Sequence, residues 1–81
     1  MNSVVVLISG RGSNLQALLD AEVPVSAVIS NVPGAAGLAI AAQRGVPTRV
    51  VPHKDFASRE SFENALAEQI DGFSPRLVAL A

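Results

Sequence analysis

Five successive apolar residues, Val4-Val5-Val6-Leu7-Ile8, run into Ser9 and Gly10. A strand with one face in water alternates apolar and polar residues. An unbroken β-branched run is instead covered on both faces, as in the middle of a parallel sheet. Parallel neighbours need helical crossovers, and the rest of the chain supplies them.

Val4 to Ser9 reads as the first strand. A helix follows, with Ser13 or Asn14 as its cap and Leu15, Leu18 and Leu19 on one face, ending before Pro24. Val25 to Ser30 is a second strand and residues 31–34 a loop. A small-residue helix then spans Ala35 to Arg44, with Leu38, Ala41 and Ala42 on one face and Gly45 closing it. Val46 to Val51 forms a short third strand whose proline and arginine suit a sheet edge. The longest helix runs from Ser58 to Phe73. Its apolar stripe is Phe62, Ala65, Leu66, Ile70 and Phe73, and Glu60 and Glu63 complement the positive end of its dipole. Ser74-Pro75 breaks it, and Leu77 to Ala81 opens a fourth strand. This alternation predicts an α/β, Rossmann-like parallel sheet in order 3-2-1-4 with helices on both faces.

Composition narrows the function. The 81 residues are 49% hydrophobic and 16% charged, the opposite of a disordered chain. Six basic and seven acidic side chains leave a net charge of -1, without the basic footprint that nucleic acid or an anionic membrane requires. The absence of cysteine removes disulfides, thiolate nucleophiles and cysteine-held zinc, and a single histidine removes histidine-rich metal clusters. No apolar run reaches membrane-spanning length, and the start of the chain lacks a secretory signal's basic flank, so a cytoplasmic location is expected. The sequence stops within an apolar run, so residues 1–81 are expected to be the front of a larger, incomplete domain.

In the expected sheet, ligands bind at the carboxyl ends of the strands, near the switch point beside strand 1. The segment there is Gly10-Arg11-Gly12-Ser13-Asn14. Its glycines allow close backbone approach, and the amides of a helix N-terminus face whatever lies in front of them, which is the chemistry of a phosphate site. Two other phosphate loops do not fit. A dinucleotide fingerprint needs glycine at position 15, where Leu stands, and an acid after strand 2, where Ser30-Asn31 stand. A P-loop needs lysine, and the first is Lys54. What remains is a site for one phosphate group, or else a plain strand-to-helix turn. Arg11 could assist such a phosphate by charge, whereas Arg44, Lys54 and Arg76 read as solvated.

Val5-Val6-Leu7-Ile8-Ser9-Gly10-Arg11-Gly12-Ser13-Asn14-Leu15-Gln16-Ala17-Leu18 closely resembles the opening of the phosphoribosylglycinamide formyltransferases. The resemblance continues through Val28-Ile29-Ser30-Asn31, Ala36-Gly37-Leu38, Gly45-Val46-Pro47-Thr48, His53-Lys54-Asp55-Phe56, Ser58-Arg59-Glu60 and Leu77 to Ala81. It covers essentially the whole chain but about two-fifths of a typical member. It implies formyl transfer from 10-formyltetrahydrofolate to the glycinamide amine of 5′-phosphoribosylglycinamide, in de novo purine synthesis. By the same resemblance Gly12, Ser13 and Asn14 grip the substrate's 5′-phosphate, and Arg59 helps bind the folate. The intact loop separates the chain from the related methionyl-tRNA formyltransferases and formyltetrahydrofolate deformylases.

Formyl transfer needs an amine, a stabiliser for the tetrahedral oxyanion and a group that shuttles protons. The resemblance places the last two on an Asn, a His and an Asp beyond residue 81, so no catalytic residue is expected within the chain. His53, after strand 3, reads as a surface-loop residue away from the switch point. The partners are then small molecules, with no nucleic acid or membrane, and a homodimer is left open. A non-catalytic phosphometabolite-binding module is the alternative. A nicotinamide-binding domain is disfavoured by Leu15 and by the missing acid after strand 2. The 70 or so residues that follow in the gene discriminate, since the transferase needs an N-x-H and a distal Asp.

Overall fold

The middle of the sheet is the most hydrophobic strand of the chain. The computed structural model describes residues 3–9 and 12–81. Strand β1 (Val4–Ile8) runs parallel to β2 (Val25–Ser30) on one side and to β4 (Leu77–Leu80) on the other. Strand β3 (Thr48–Val50) pairs in parallel with β2, so the sheet reads β3-β2-β1-β4. Val6 lies opposite Val28 and Ala79, and Ile29 opposite Arg49. The expected order is therefore the observed one.

Helices α1 (Ser13–Asp20) and α2 (Ala36–Gln43) cover one face and α3 (Arg59–Gly72) the other. Successive side chains of β1 alternate between them. Val4, Val6 and Ile8 join Val28, Leu15 and Ala41 under α1 and α2. Val5 joins Ala27, Ile29 and Val51 under Phe62, Ala65, Leu66, Ile70 and Phe73, the stripe expected of α3. Both layers hang on β1.

Several local expectations need correction. Strand 3 is shorter than Val46 to Val51, because Pro47 lacks an amide for the ladder, although its carbonyl still accepts from Val28 at 2.9 Å. In α2 the buried residues are Gly37 and Ala41, while Ala42 is exposed. Arg44 is not merely solvated: it pairs with Asp20 at the end of α1. Arg76 also has a partner. Glu63 is engaged one turn back, accepting from Arg59 Nε at 3.1 Å, which leaves Glu60 as the acid of the first turn. Ser58 does cap α3, through a reciprocal pair with Ser61. A 3₁₀ turn at His53–Asp55 precedes that cap and left no periodic signal in the sequence.

Strand β4 is the less covered flank. Leu77, Val78 and Leu80 are 60%, 40% and 83% exposed, a row of large apolar groups beside an unpaired strand edge.

Two helices end in the same motif. At the end of α2 the amides of Gly45 and Val46 donate to Ala42 and Ala41, with Gly45 at φ 75°. At the end of α1 the amides of Glu22 and Val23 donate to Leu19 and Leu18, but the left-handed position (φ 60°) is held by Glu22. That conformation costs a side chain about 1–2 kcal/mol, against roughly 0.5–1 kcal/mol of extra chain entropy for glycine. Glu22→Gly should therefore stabilise the fold by about 0.5–1 kcal/mol in chemical denaturation. A loss of stability would contradict the motif.

Candidate functional site

In a parallel sheet every strand delivers the chain to the same edge, and three segments meet there. The first is the start of α1. Gly12 occupies the N-cap with φ 80° and ψ 7°, and its carbonyl accepts the first helical bond, from Gln16 at 2.9 Å. This corrects the expected cap: Ser13 is the first helical residue, and no side chain caps the helix. Ser13 and Asn14 are exposed, and the amides of Gly12, Ser13 and Asn14 have no partner within the helix. Gly10 and Arg11, expected to form the rest of this loop, lie outside the described residues.

Glycine at position 12 is demanded twice. Its positive φ disfavours a side chain, and a Cβ there would stand 2.6 Å from the Cα of Gly37 in α2. Gly37 is its counterpart: a Cβ on it would meet Ile8 Cδ1 at 2.5 Å and the Cα of Gly12 at 3.3 Å. The N-terminal ends of α1 and α2 thus touch through two glycines. A glycine inside a helix costs about 1 kcal/mol relative to alanine, and that unfavourable choice was the sequence signal for Gly37, which the sequence reading did not use.

The second segment follows β2. Ser30 is fully buried, donating its hydroxyl to Val32 O at 2.8 Å and accepting from Val32 N at 3.0 Å. Those bonds occupy the place where a nicotinamide site would present its acid.

The third is the 3₁₀ turn with the start of α3. His53, Phe56, Ala57, Ser58, Arg59 and Phe62 enclose a hollow of about 370 Å³. Phe62 meets Phe56 edge-on at 5.8 Å and His53 at 6.4 Å. Arg59 is almost fully exposed and, among the described residues, is held by Glu63 alone, at 3.1 Å, so an anion can compete for it at small cost. Phe62 also walls a second hollow of about 340 Å³, lined by Leu7, Ile8, Ser9, Ile29 and Leu80 at the carboxyl ends of the strands. Gly12, Ser13 and Asn14 therefore form one cluster on the α1 face, and Arg59 stands on the α3 face of the same sheet edge. His53 is the exposed loop residue expected after strand 3, and it lines the hollow beside Arg59.

The two glycines differ in what they can tolerate. Gly12→Ala combines a left-handed penalty of about 1–2 kcal/mol with a clash against backbone costing about 1–3 kcal/mol. Gly37→Ala meets the movable end of an isoleucine and only more loosely, at 3.3 Å, the backbone of Gly12, and regains up to about 1 kcal/mol of helix propensity. Gly12→Ala should lower the denaturation midpoint clearly more than Gly37→Ala. The reverse order would show that the observed close approach is not the governing constraint.

A family model described as formyl transferase matches residues 2–81. The phosphoribosylglycinamide formyltransferase of Escherichia coli is 44% identical over 85 residues, covering 98% of this chain and 40% of that protein. A trifunctional purine biosynthetic protein of Drosophila melanogaster is 48% identical over 86 residues, covering 96% of the chain and 6% of that protein. Among solved structures, the phosphoribosylglycinamide formyltransferase of Coxiella burnetii superposes with a TM-score of 0.96 at 45% identity, over 99% of this chain and 40% of that one. The chain thus spans about two-fifths of the bacterial relatives' length.

Proposed function

The chain belongs to the formyl transferase family, and on that premise we propose that it forms the substrate-holding front of a phosphoribosylglycinamide formyltransferase. The protein that contains it moves a formyl group from 10-formyltetrahydrofolate to the glycinamide amine of 5′-phosphoribosylglycinamide, a step of purine synthesis. The observation that carries this reading is the uncapped start of α1 at the carboxyl edge of the sheet. The relatives named above match 96–98% of the chain, the segment around it included in that span.

Gly12, Ser13 and Asn14 take the substrate's phosphate. The helix dipole contributes only about 0.3–1 kcal/mol, rising to about 2 when partly buried. The amides and the Ser13 hydroxyl, donating to phosphate oxygens, therefore do most of the holding. With the phosphate fixed at the start of α1, the rest of the substrate can extend along the edge towards the α3 face.

Arg59 fits the formyl donor. An exposed guanidinium beside the Phe56–Phe62 pair suits a ligand that carries an aromatic ring and a carboxylate. The folate supplies the activated formyl group when bound. The chain's own part is to orient the two substrates so that amine and formyl carbon approach, the entropic share of the catalysis. Proton transfer and oxyanion stabilisation fall to residues beyond position 81.

This division of labour makes distinct predictions. In the full-length protein, Gly12→Val should raise the KM for phosphoribosylglycinamide most, since it blocks both the backbone conformation and the approach of the ligand. Ser13→Ala should cost about 0.5–1.5 kcal/mol, or up to about 3 kcal/mol if the hydroxyl meets a charged oxygen. An unchanged KM in Gly12→Val would rule out the phosphate role. Residues 1–81 alone should show no formyl transfer, because the missing oxyanion donor is worth about 10²–10³ in rate and the missing proton shuttle about 10²–10⁴. Turnover by the purified 81-residue chain would overturn that assignment. Tight binding of phosphoribosylglycinamide by a full-length protein inert with the formyl donor would favour a non-catalytic phosphometabolite-binding module.

A further inference from the structure

His53 has no role in the function proposed above, yet it joins the end of β2 to the start of α3. Its Nδ1 lies 3.2 Å from the backbone carbonyl oxygen of Asn31, 22 residues earlier in the chain. A carbonyl oxygen offers only lone pairs, so this contact is a hydrogen bond when the ring proton sits on Nδ1. Asn31 Nδ2, at 3.5 Å from the same nitrogen, then faces a donor and makes no bond to it. The carbonyl of Asn31 also accepts the backbone amide of His53 at 3.4 Å, and Val51 donates to Ser30 O at 2.8 Å one step before. The chain leaving β3 is thus pinned to the end of β2, with the imidazole as its outermost fastening.

The other side of the ring meets Phe62 edge-on, at 84° between planes. Phe62 follows Arg59 by one helical turn, so the two share a face of α3 and line the same hollow as His53. The His53 ring thus packs against Phe62 on the face of α3 from which Arg59 reaches out.

We infer that His53 is a positioning residue. Its Nδ1–H bond to the Asn31 carbonyl holds the aromatic and cationic wall that receives the formyl donor, without touching the donor. The inference rests on the folate role proposed for Arg59. The bond is exposed, so its loss is expected to shift binding by about two- to tenfold.

Variants of the full-length protein separate the ring's parts. His53→Phe keeps a ring against Phe62 and removes the N–H. His53→Asn places an amide N–H where Nδ1 was, and His53→Gln mimics Nε2 instead. His53→Phe should raise the KM for 10-formyltetrahydrofolate about two- to tenfold, leaving kcat and the KM for phosphoribosylglycinamide unaltered, and His53→Asn should restore it. If His53→Gln restores the KM and His53→Asn does not, Nε2 contacts the donor directly and the positioning role is wrong. An unaltered KM in His53→Phe also overturns it. A wild-type protein inert with both substrates would defeat the transferase reading instead. The ¹⁵N spectrum of the imidazole then decides the fastening: a proton on Nδ1 supports it and one on Nε2 refutes it.

Discussion

Burial of β1 on both faces and pairing along both edges is the constraint on which the remaining structure depends. Val5 and Val6 are fully buried in opposite layers, so neither helical layer can be removed without exposing the strand. That double burial requires parallel neighbours, parallel neighbours require crossover helices, and the crossovers bring every helix start to one edge of the sheet. The position of the site follows from this geometry before any functional side chain is considered.

The two faces of that edge suit two kinds of ligand. On the α1 side the available groups are backbone amides, which bind an anion with little dependence on side-chain conformation. On the α3 side they are aromatic rings and a loosely held guanidinium, which suit an extended, partly apolar molecule. The hollow along Leu7, Ile8 and Leu80 opens beside Phe62 and Leu66 of α3 and is mostly apolar, with Ser9 and Asn31 in its wall.

Elements dominated by nearest neighbours in sequence were legible. The five-residue run of β1, the stripe of α3 and the glycine after α2 all declare themselves within a few positions, and each stands where expected. The turn into α1 was legible in its residues but not in its geometry. Ser13 has the composition of a cap, yet the left-handed turn at Gly12 moves the helix start past it. Ala42 was misplaced because a helix as uniformly apolar as α2 has no clear polar face to fix its rotation. His53 is the surface-loop residue expected, but its contact with Asn31, 22 residues away, was not legible, because only the return of the chain beside β2 brings the two within reach. The gap is the same in each case: contacts set by topology leave no local pattern to read.

The facing glycines have a consequence for how variants of such a protein are classified. Gly12 caps the first helix and Gly37 lies in the first turn of the next, yet their main-chain atoms share one small volume. A substitution in α2, remote from any ligand by sequence, can displace the turn and surface in an assay as weakened substrate affinity. Kinetics alone would then describe a steric fault as a binding-site lesion. Only a paired measurement of folding stability would reveal that a helix crossing had been wedged open.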